Sequence, residues 1–107
     1  MENLKVYVGL NKGFNTKKRI NKAQIEELKQ DLIRFFSDVS GEKTGVNFSI
    51  VDYTETKYKE KTLIAEFVFN KVNKDKLKTN SILQEIKKKY QQEAIFLTIE
   101  PIKTILV

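Results

Sequence analysis

Residues 21–41 read NKAQIEELKQDLIRFFSDVSG and predict an amphipathic α-helix. Asn21 is a favourable N-cap residue, and Gln24, three places later, completes a capping box. The apolar residues recur at helical spacing and form one stripe: Ile25, Leu28, Leu32, Phe35, Phe36 and Val39. The helix is expected to end at Gly41, because glycine readily adopts the left-handed conformation found after helix C-termini.

Alternating sequences on both sides of this helix predict β-strands. Residues 4–10 read LKVYVGL, in which every second residue is a large aliphatic one. That period is typical of a strand with one buried face. Similar patterns predict three further strands, over residues 46–54, 62–70 and 94–100, and Pro101 ends the last of them.

A second helix is expected between the third and fourth strands. It should begin at Ser81, with Gln84 completing a capping box, and should bury Leu83, Ile86 and Tyr90. The resulting order, β-α-β-β-α-β, predicts an α+β ferredoxin-like fold, a four-stranded antiparallel sheet with both helices on one face. A single domain is expected over residues 1–107, with an apolar C-terminal tail at 101–107.

Composition limits the chemistry that this chain can perform. It contains no His and no Cys, which excludes a Ser–His or Cys–His nucleophile and a His- or Cys-based metal site. We therefore expect a non-enzymatic binding protein with no cofactor, no metal and no catalytic residue. The alternative is an enzyme that uses Tyr, Lys, Asp or Glu. Its leading candidate is Glu66, a carboxylate within a strongly apolar strand.

The net charge of +6 predicts an anionic partner: a nucleotide, a nucleic acid or an acidic protein surface. Only two of the 20 basic residues, Arg19 and Arg34, are arginine. This makes nucleic acid the weaker candidate, because arginine is the residue that contacts phosphate and guanine bidentately. No apolar run approaches the roughly 18 residues that span a bilayer, and the N-terminus leads directly into a strand pattern. We expect a cytoplasmic protein of a bacterial host cell, with no membrane partner.

The sheet face opposite the helices, here called the open face, is predicted to be unusually apolar. Its expected residues are Lys5, Tyr7, Gly9, Val51, Tyr53, Ile64, Glu66 and Val68. Since such a face is poorly suited to water, we expect a second copy to cover it in a homo-oligomer. The alternatives are that the C-terminal tail covers it, or that it is a platform for a ligand or a nucleic acid.

One version of the platform alternative depends on the first strand. Residues 5–11 resemble the first strand of an RNA-recognition motif, in which an aromatic side chain at the position of Tyr7 stacks on a base. That motif places two further aromatic residues on the third strand. Here Ile64 and Glu66 occupy those positions, so the resemblance covers one strand only.

A second resemblance covers nearly the whole chain. Three motifs resemble a family of small bacterial and phage proteins known only as a domain of unknown function: YVGLN at 7–11, EKTL at 60–63 and YQQEAI at 90–95. The resemblance implies the same fold and no particular activity, and residues 40–46 lack the Gly-rich aromatic segment of that family. By position it nominates Asn11, Glu60 and Gln92 as ligand-binding residues at strand ends. The alternative is that Glu60 and Gln92 bond backbone groups there.

The loop after the first strand is a candidate anion site. It follows a strand end and leads into a helix N-terminus, where backbone N–H groups favour anions. Together with Tyr7, the residues expected to hold a small anionic ligand are Asn11, Lys12, Asn15, Lys17, Lys18 and Arg19. The loop lacks the P-loop motif. The alternative for this loop, and for a second basic stretch at residues 71–89, is a solvated charged surface.

These features favour a non-enzymatic, oligomeric binding protein that captures a small nucleotide-type anion. The Lys-, Ile- and Asn-rich composition is typical of AT-rich coding and suggests a low-GC bacterium or its phage. The corresponding biological hypothesis is a phage or mobile-element counter-defence protein that sequesters a host nucleotide. Two alternatives stay open: a protein–protein inhibitor or adaptor with a basic surface, and a nucleic-acid-binding module.

Overall fold

The computed structural model of the protein describes residues 1–11, 19–41, 45–53, 60–103 and 105–107. Its elements follow in chain order: β1 (Glu2–Gly9), α1 (Lys22–Ser40), β2 (Asn47–Tyr53), β3 (Glu60–Phe69), α2 (Lys74–Lys78), α3 (Ser81–Lys89) and β4 (Phe96–Pro101). The four strands form one antiparallel sheet in the order β2-β3-β1-β4. This confirms the predicted ferredoxin-like plan.

The register of the inner strands explains which face of the sheet is buried. Val6 on β1 lies opposite Ala65 on β3 and opposite Leu97 on β4. Because side chains alternate along a strand, residues in step with Val6 all point toward the helices. The fully buried core accordingly combines the aliphatic positions of β1 and β3 with the stripe of α1, including Leu4, Val8, Leu63, Leu28 and Phe35.

Helix α1 begins and ends where its sequence predicts. Asn21 Oδ1 accepts from the backbone N–H of Gln24 at 2.8 Å, and Gln24 Oε1 accepts from the backbone N–H of Asn21 at 3.0 Å. The capping box is therefore present on both sides. At the other end, Gly41 has φ 76° and donates its N–H to the carbonyl of Ser37.

The region before the last strand differs from the prediction in two ways. The basic stretch contains an additional short helix, α2, whose N-cap is Asn73. The N-cap of α3 is Asn80 and not Ser81, so the predicted capping box at Ser81 is wrong. Asn80 Oδ1 accepts from the N–H groups of Ile82 and Leu83, while its Nδ2 donates to Asp38 of α1 at 3.1 Å. The buried asparagine satisfies backbone groups and a second helix together, which an exposed serine could not do.

Polar contacts fasten α3 to α1 at their surface. Arg34 pairs with Glu85 at 2.9 Å, and Lys89 pairs with both Glu27 and Asp31. The buried Tyr90 donates its hydroxyl to the same Asp31 at 2.8 Å. Burial and this hydrogen bond raise the pKa of the Tyr90 hydroxyl above its usual range. Hydrogen bonds to the two carboxylates likewise raise the pKa of Lys89.

The open face carries exposed apolar side chains, as the sequence predicts. Val68 is 44% exposed and Val51 is 41% exposed. In the C-terminal tail, Ile105, Leu106 and Val107 are also exposed, so these residues do not cover the open face. Within the described ranges, no helix combines the length and the apolar character needed to cross a membrane.

Candidate functional site

Three chain segments meet where β1 ends, and we call this group the strand-end cluster: Gly9, Leu10, Asn11, Lys61 and Gln92. The N–H of Leu10 donates to the carbonyl of Lys61 at 2.8 Å, which ties the end of β1 to the start of β3. Gln92 Nε2 donates to the carbonyl of Asn11 at 2.9 Å, and this bond ties the end of β1 to the segment between α3 and β4. The cluster joins all three motifs that the sequence singled out.

The C-terminal end of α3 places Gln92 in this cluster. The N–H of Gln92 donates to the carbonyl of Lys87, and the N–H of Gln91 donates to the carbonyl of Lys88. This pair of bonds is a Schellman motif, in which Tyr90 is the C-cap. The residue after the C-cap adopts a left-handed conformation, and Gln91 does so with φ 52° although glycine is favoured there.

Gly9 lies next to the side chain of Gln92. A Cβ atom on Gly9 would lie 3.1 Å from Gln92 Oε1. The glycine of the first motif therefore makes room for the glutamine of the third. Gln92 Nε2 also donates to the carbonyl of Tyr90 at 3.0 Å. Gln92 thus bonds two backbone carbonyls, and its role as a ligand-binding residue stays a prediction.

The predicted anion-site residues fall into different environments. Asn11 is buried, with 3% of its surface exposed, and forms an isolated antiparallel bridge with the exposed Arg19. Lys12, Asn15, Lys17 and Lys18 lie outside the described residues. The structure thus brings together the two ends of the predicted loop, and the ligand-binding role of its lysines stays a prediction.

The other predicted residues lie near the same end of the sheet. Glu60 begins β3 and pairs with Tyr53 of β2 through its backbone, while its side chain lies outside the description. Tyr7 points to the open face, and its hydroxyl lies 3.2 Å from Thr98 Oγ1. If the open face is a ligand platform at Tyr7, side chains of β4 are therefore part of it.

Phe96 is the residue that sequence reasoning missed. The register of β1 with β4 places it directly opposite Tyr7, and it is 69% exposed. An exposed phenylalanine beside a tyrosine gives this part of the open face two aromatic rings. The sequence contained one usable signal: Phe96 follows Ile95 in an alternating strand, so one of the two had to point away from the helices.

Glu66 lies farther along the open face, toward the start of β1. Its carboxylate accepts a hydrogen bond from Asn3 Nδ2 at 2.9 Å and is partly buried. A shallow cavity of about 230 Å³ adjoins it, lined by Asn3, Asn47, Val68 and Ile102 among others. Among the described residues, no cation lies within ion-pair distance of Glu66, and no group of acidic side chains is suited to a metal ion.

Comparison with known proteins finds similarity to solved structures. No protein-family model matches the chain, and no curated protein matches it. A phage SAM lyase in its apo state is similar in structure, with a TM-score of 0.59 and 17% sequence identity over 92% of this chain and 78% of that chain. A phage SAM lyase in complex with S-methyl-5'-thioadenosine gives a TM-score of 0.52 and 18% identity over 92% and 79%.

The chain has the fold of a phage SAM lyase. At this level of identity the similarity establishes the fold alone. It is consistent with the four-stranded sheet and the helices described above. The resemblance to a family of unknown function stays a prediction.

Proposed function

We propose that this protein binds a small S-adenosyl-type nucleoside on the open face, at the end where Tyr7 and Phe96 lie. The observation that carries the proposal is the similarity in fold to a phage SAM lyase, which extends over 92% of this chain. One of the two similar structures is a complex with S-methyl-5'-thioadenosine. The arrangement of the open face supplies the chemistry that such a ligand needs.

The two aromatic rings supply a surface for adenine. Residues directly opposite on antiparallel strands have Cβ atoms about 5 Å apart, so Tyr7 and Phe96 lie close enough to contact one base together. Stacking of a base on an aromatic side chain contributes about 1–3 kcal/mol per base. The exposure of Phe96 leaves its ring free to make this contact.

Glu66 favours a cationic ligand over a phosphate. S-adenosylmethionine carries a positive sulfonium centre, whereas a nucleotide carries negative phosphates, which a carboxylate repels. Glu66 lies opposite Lys5, on the same face as Tyr7. The proposal therefore replaces the expected anionic nucleotide by a nucleoside with a positive centre, and Asn3 holds the carboxylate in place.

We further propose that a phage or mobile element uses this protein to withdraw an S-adenosyl compound from its host. Both similar structures are phage proteins, which supports the counter-defence hypothesis. Association into a homo-oligomer through the exposed Val51 and Val68 belongs to the same proposal, because the apolar part of the open face needs cover.

A second candidate function is cleavage of the ligand, because both similar structures are lyases. S-methyl-5'-thioadenosine is what remains of S-adenosylmethionine when the bond from sulfur to the aminobutyrate chain breaks. Sulfur leaves with the electron pair of that bond as a neutral thioether, and the aminobutyrate carbon forms its new bond to the carboxylate of the same chain, which closes a lactone. Because the ligand supplies its own nucleophile, the reaction needs neither a His nor a Cys. The absence of these residues from the chain is compatible with such chemistry.

Binding is tested by calorimetry with three ligands: S-adenosylmethionine, S-methyl-5'-thioadenosine and ATP. We expect both nucleosides to bind and ATP to bind weakly or not at all. Phe96→Ala should weaken both nucleosides by about tenfold, the effect of losing one stacking contact. Glu66→Gln should weaken S-adenosylmethionine more than the uncharged thioether. Ile50→Ala, at an exposed apolar residue on the helix side of β2, is the matched control and should change neither.

Three outcomes separate the alternatives. If neither nucleoside binds, the proposal is wrong. If ATP binds and the triple change Lys17→Ala, Lys18→Ala and Arg19→Ala abolishes that binding, the basic loop is an anion site as the sequence predicts. If chromatography shows S-methyl-5'-thioadenosine accumulating from S-adenosylmethionine, the protein is a lyase and not a sequestering protein. Mass spectrometry of denatured purified protein would identify any ligand retained from the cell.

A further inference from the structure

A lysine-rich surface lies on the helical layer, away from the candidate nucleoside site. We define it by six lysines of residues 71–88: Lys71, Lys74, Lys76, Lys78, Lys87 and Lys88. Five are exposed and Lys87 is half-buried. The whole stretch 71–89 contains seven lysines and two acidic residues, Asp75 and Glu85. Most of the net positive charge of the chain is therefore concentrated here.

Carboxylates near these lysines form ion pairs with other cations. Glu85 is paired with Arg34 of α1, and the seventh lysine, Lys89, is paired with Glu27 and Asp31 of α1. Within the described part of the chain, none of the six lysines of the surface lies within ion-pair distance of a carboxylate. Glu85, Glu27 and Asp31 are thus engaged by other cations, which leaves Asp75 as the acidic side chain among these lysines.

The surface has no apolar anchor. The large exposed hydrophobic residues among the described ones are Met1, Ile50, Val51, Val68, Phe96, Ile105, Leu106 and Val107. None belongs to residues 71–89, where Val72, Leu77, Leu83 and Ile86 are buried. Specific protein interfaces derive most of their affinity from buried aromatic and aliphatic anchors. A surface of lysines alone therefore fits an acidic protein poorly.

We propose that the lysine-rich surface binds the phosphate backbone of nucleic acid without sequence preference. Phosphate binding of this kind requires no apolar anchor, because the release of condensed counterions supplies the affinity. Lysine is suited to this role as a point charge, and the lack of arginine on the surface removes the residue that most often reads guanine. The proposal goes beyond the proposed function, since the nucleoside would bind on the opposite side of the sheet.

The test is fluorescence anisotropy of a labelled DNA duplex of about 20 base pairs, titrated with the full chain over a range of salt concentrations. The expected dissociation constant lies at about 10⁻⁴ to 10⁻⁶ M, and the logarithm of the binding constant should fall with the logarithm of salt concentration with a slope of roughly −4. Two unrelated duplex sequences should bind equally. Unequal affinities for these two duplexes would contradict backbone binding.

Two variants of equal net charge locate the binding surface. The first carries Lys74→Gln, Lys78→Gln, Lys87→Gln and Lys88→Gln, and should lose most of the salt slope, about 0.9 for each lysine removed. The second carries Lys5→Gln, Lys29→Gln, Lys61→Gln and Lys103→Gln, and should retain the slope. Circular dichroism melting confirms that both fold. Equal losses in the two variants, absence of duplex binding by the wild type, or binding confined to anionic lipid vesicles would each overturn the proposal.

Discussion

Gln92 donates its side-chain N–H to the backbone carbonyl of Asn11 at 2.9 Å, across 81 positions of the sequence. The bond joins the segment that follows the last helix to the end of the first strand. Its geometry depends on the Schellman motif after α3 and on the absence of a side chain at Gly9. Two motifs that are far apart in the sequence thus owe their pairing to one glutamine.

This relationship predicts an energetic coupling between Gly9 and Gln92. Gln92→Ala removes the side-chain N–H group that donates to two backbone carbonyls. The change should lower the free energy of unfolding by about 1–2 kcal/mol. Gly9→Ala should be destabilising in the wild-type chain, because its Cβ would lie 3.1 Å from Gln92 Oε1. In the Gln92→Ala background the same change should cost less, by about 0.5–1 kcal/mol. Urea denaturation of the four proteins measures the coupling, and strict additivity would contradict it.

The left-handed conformation of Gln91 predicts a stabilising substitution. Gln91 has φ 52°, which carries a steric cost for any residue with a Cβ atom. Gln91→Gly should raise the free energy of unfolding by about 0.5–1 kcal/mol, although part of the gain is offset by the greater freedom of glycine in the unfolded chain. Gln91→Ala retains the Cβ and serves as the control. In thermal melts, the melting temperature of Gln91→Gly should exceed those of the wild type and of Gln91→Ala. A melting temperature of Gln91→Gly below that of the wild type would contradict the argument from backbone strain.

The capping of α3 distinguishes two neighbouring residues. Asn80→Ala should lower the free energy of unfolding by about 1–2 kcal/mol, because it removes an N-cap and the hydrogen bond to Asp38. Ser81→Ala should change it by less than about 0.5 kcal/mol, since Ser81 is an exposed first-turn residue. Chemical denaturation of the two variants is sufficient. A larger effect at Ser81 would favour the capping box that the sequence alone predicts.

The buried Tyr90 predicts a loss of stability at alkaline pH. The pKa of its hydroxyl is raised in the folded protein, so above about pH 10 the unfolded chain releases a proton that the folded chain keeps. The unfolded state then binds fewer protons, and the free energy of unfolding falls as pH rises. The stabilising contribution is fully present below this range. The raised pKa of Lys89 acts in the same direction.

Tyr90→Phe tests this dependence. The variant should be less stable than the wild type near neutral pH by about 1–2 kcal/mol, because the hydrogen bond to Asp31 is lost. The difference should narrow between about pH 9 and pH 11, since phenylalanine does not titrate. Urea denaturation at a series of pH values measures it. A difference that stays constant or grows over this interval would show that Tyr90 does not carry the alkaline transition.

The exposed part of the open face predicts self-association. Light scattering at micromolar concentration should show a homo-oligomer. Val68→Lys should shift it toward the monomer without changing the circular dichroism spectrum, because Val68 is 44% exposed and makes little contribution to the core. Gln84→Lys, which adds the same single positive charge at an exposed residue of α3, is the control for the altered charge. A monomeric wild type would remove the basis for this expectation.

Local sequence pattern is sufficient to predict several elements of this fold. The capping box of Asn21 and Gln24, the buried stripe of α1 and the stop at Gly41 each rest on contacts within a few residues, so spacing alone predicts them. Alternation likewise determined which side of β1 is buried. The order of these elements, β-α-β-β-α-β, consists of two β-α-β units. Few topologies accommodate two such units in a short chain, so this order predicts the ferredoxin-like plan.

Other features depend on contacts between segments that are distant in the sequence, and they become visible only in the folded protein. Asn80 caps α3 in preference to Ser81 because Asp38, on another helix, accepts from its side chain. Phe96 lies beside Tyr7 because the pairing of β4 with β1 fixes their register, and no local signal specifies a register between strands almost 90 residues apart. The approach of Gly9 to Gln92 has the same origin. Local preference selects the elements, and packing selects which of their side chains meet.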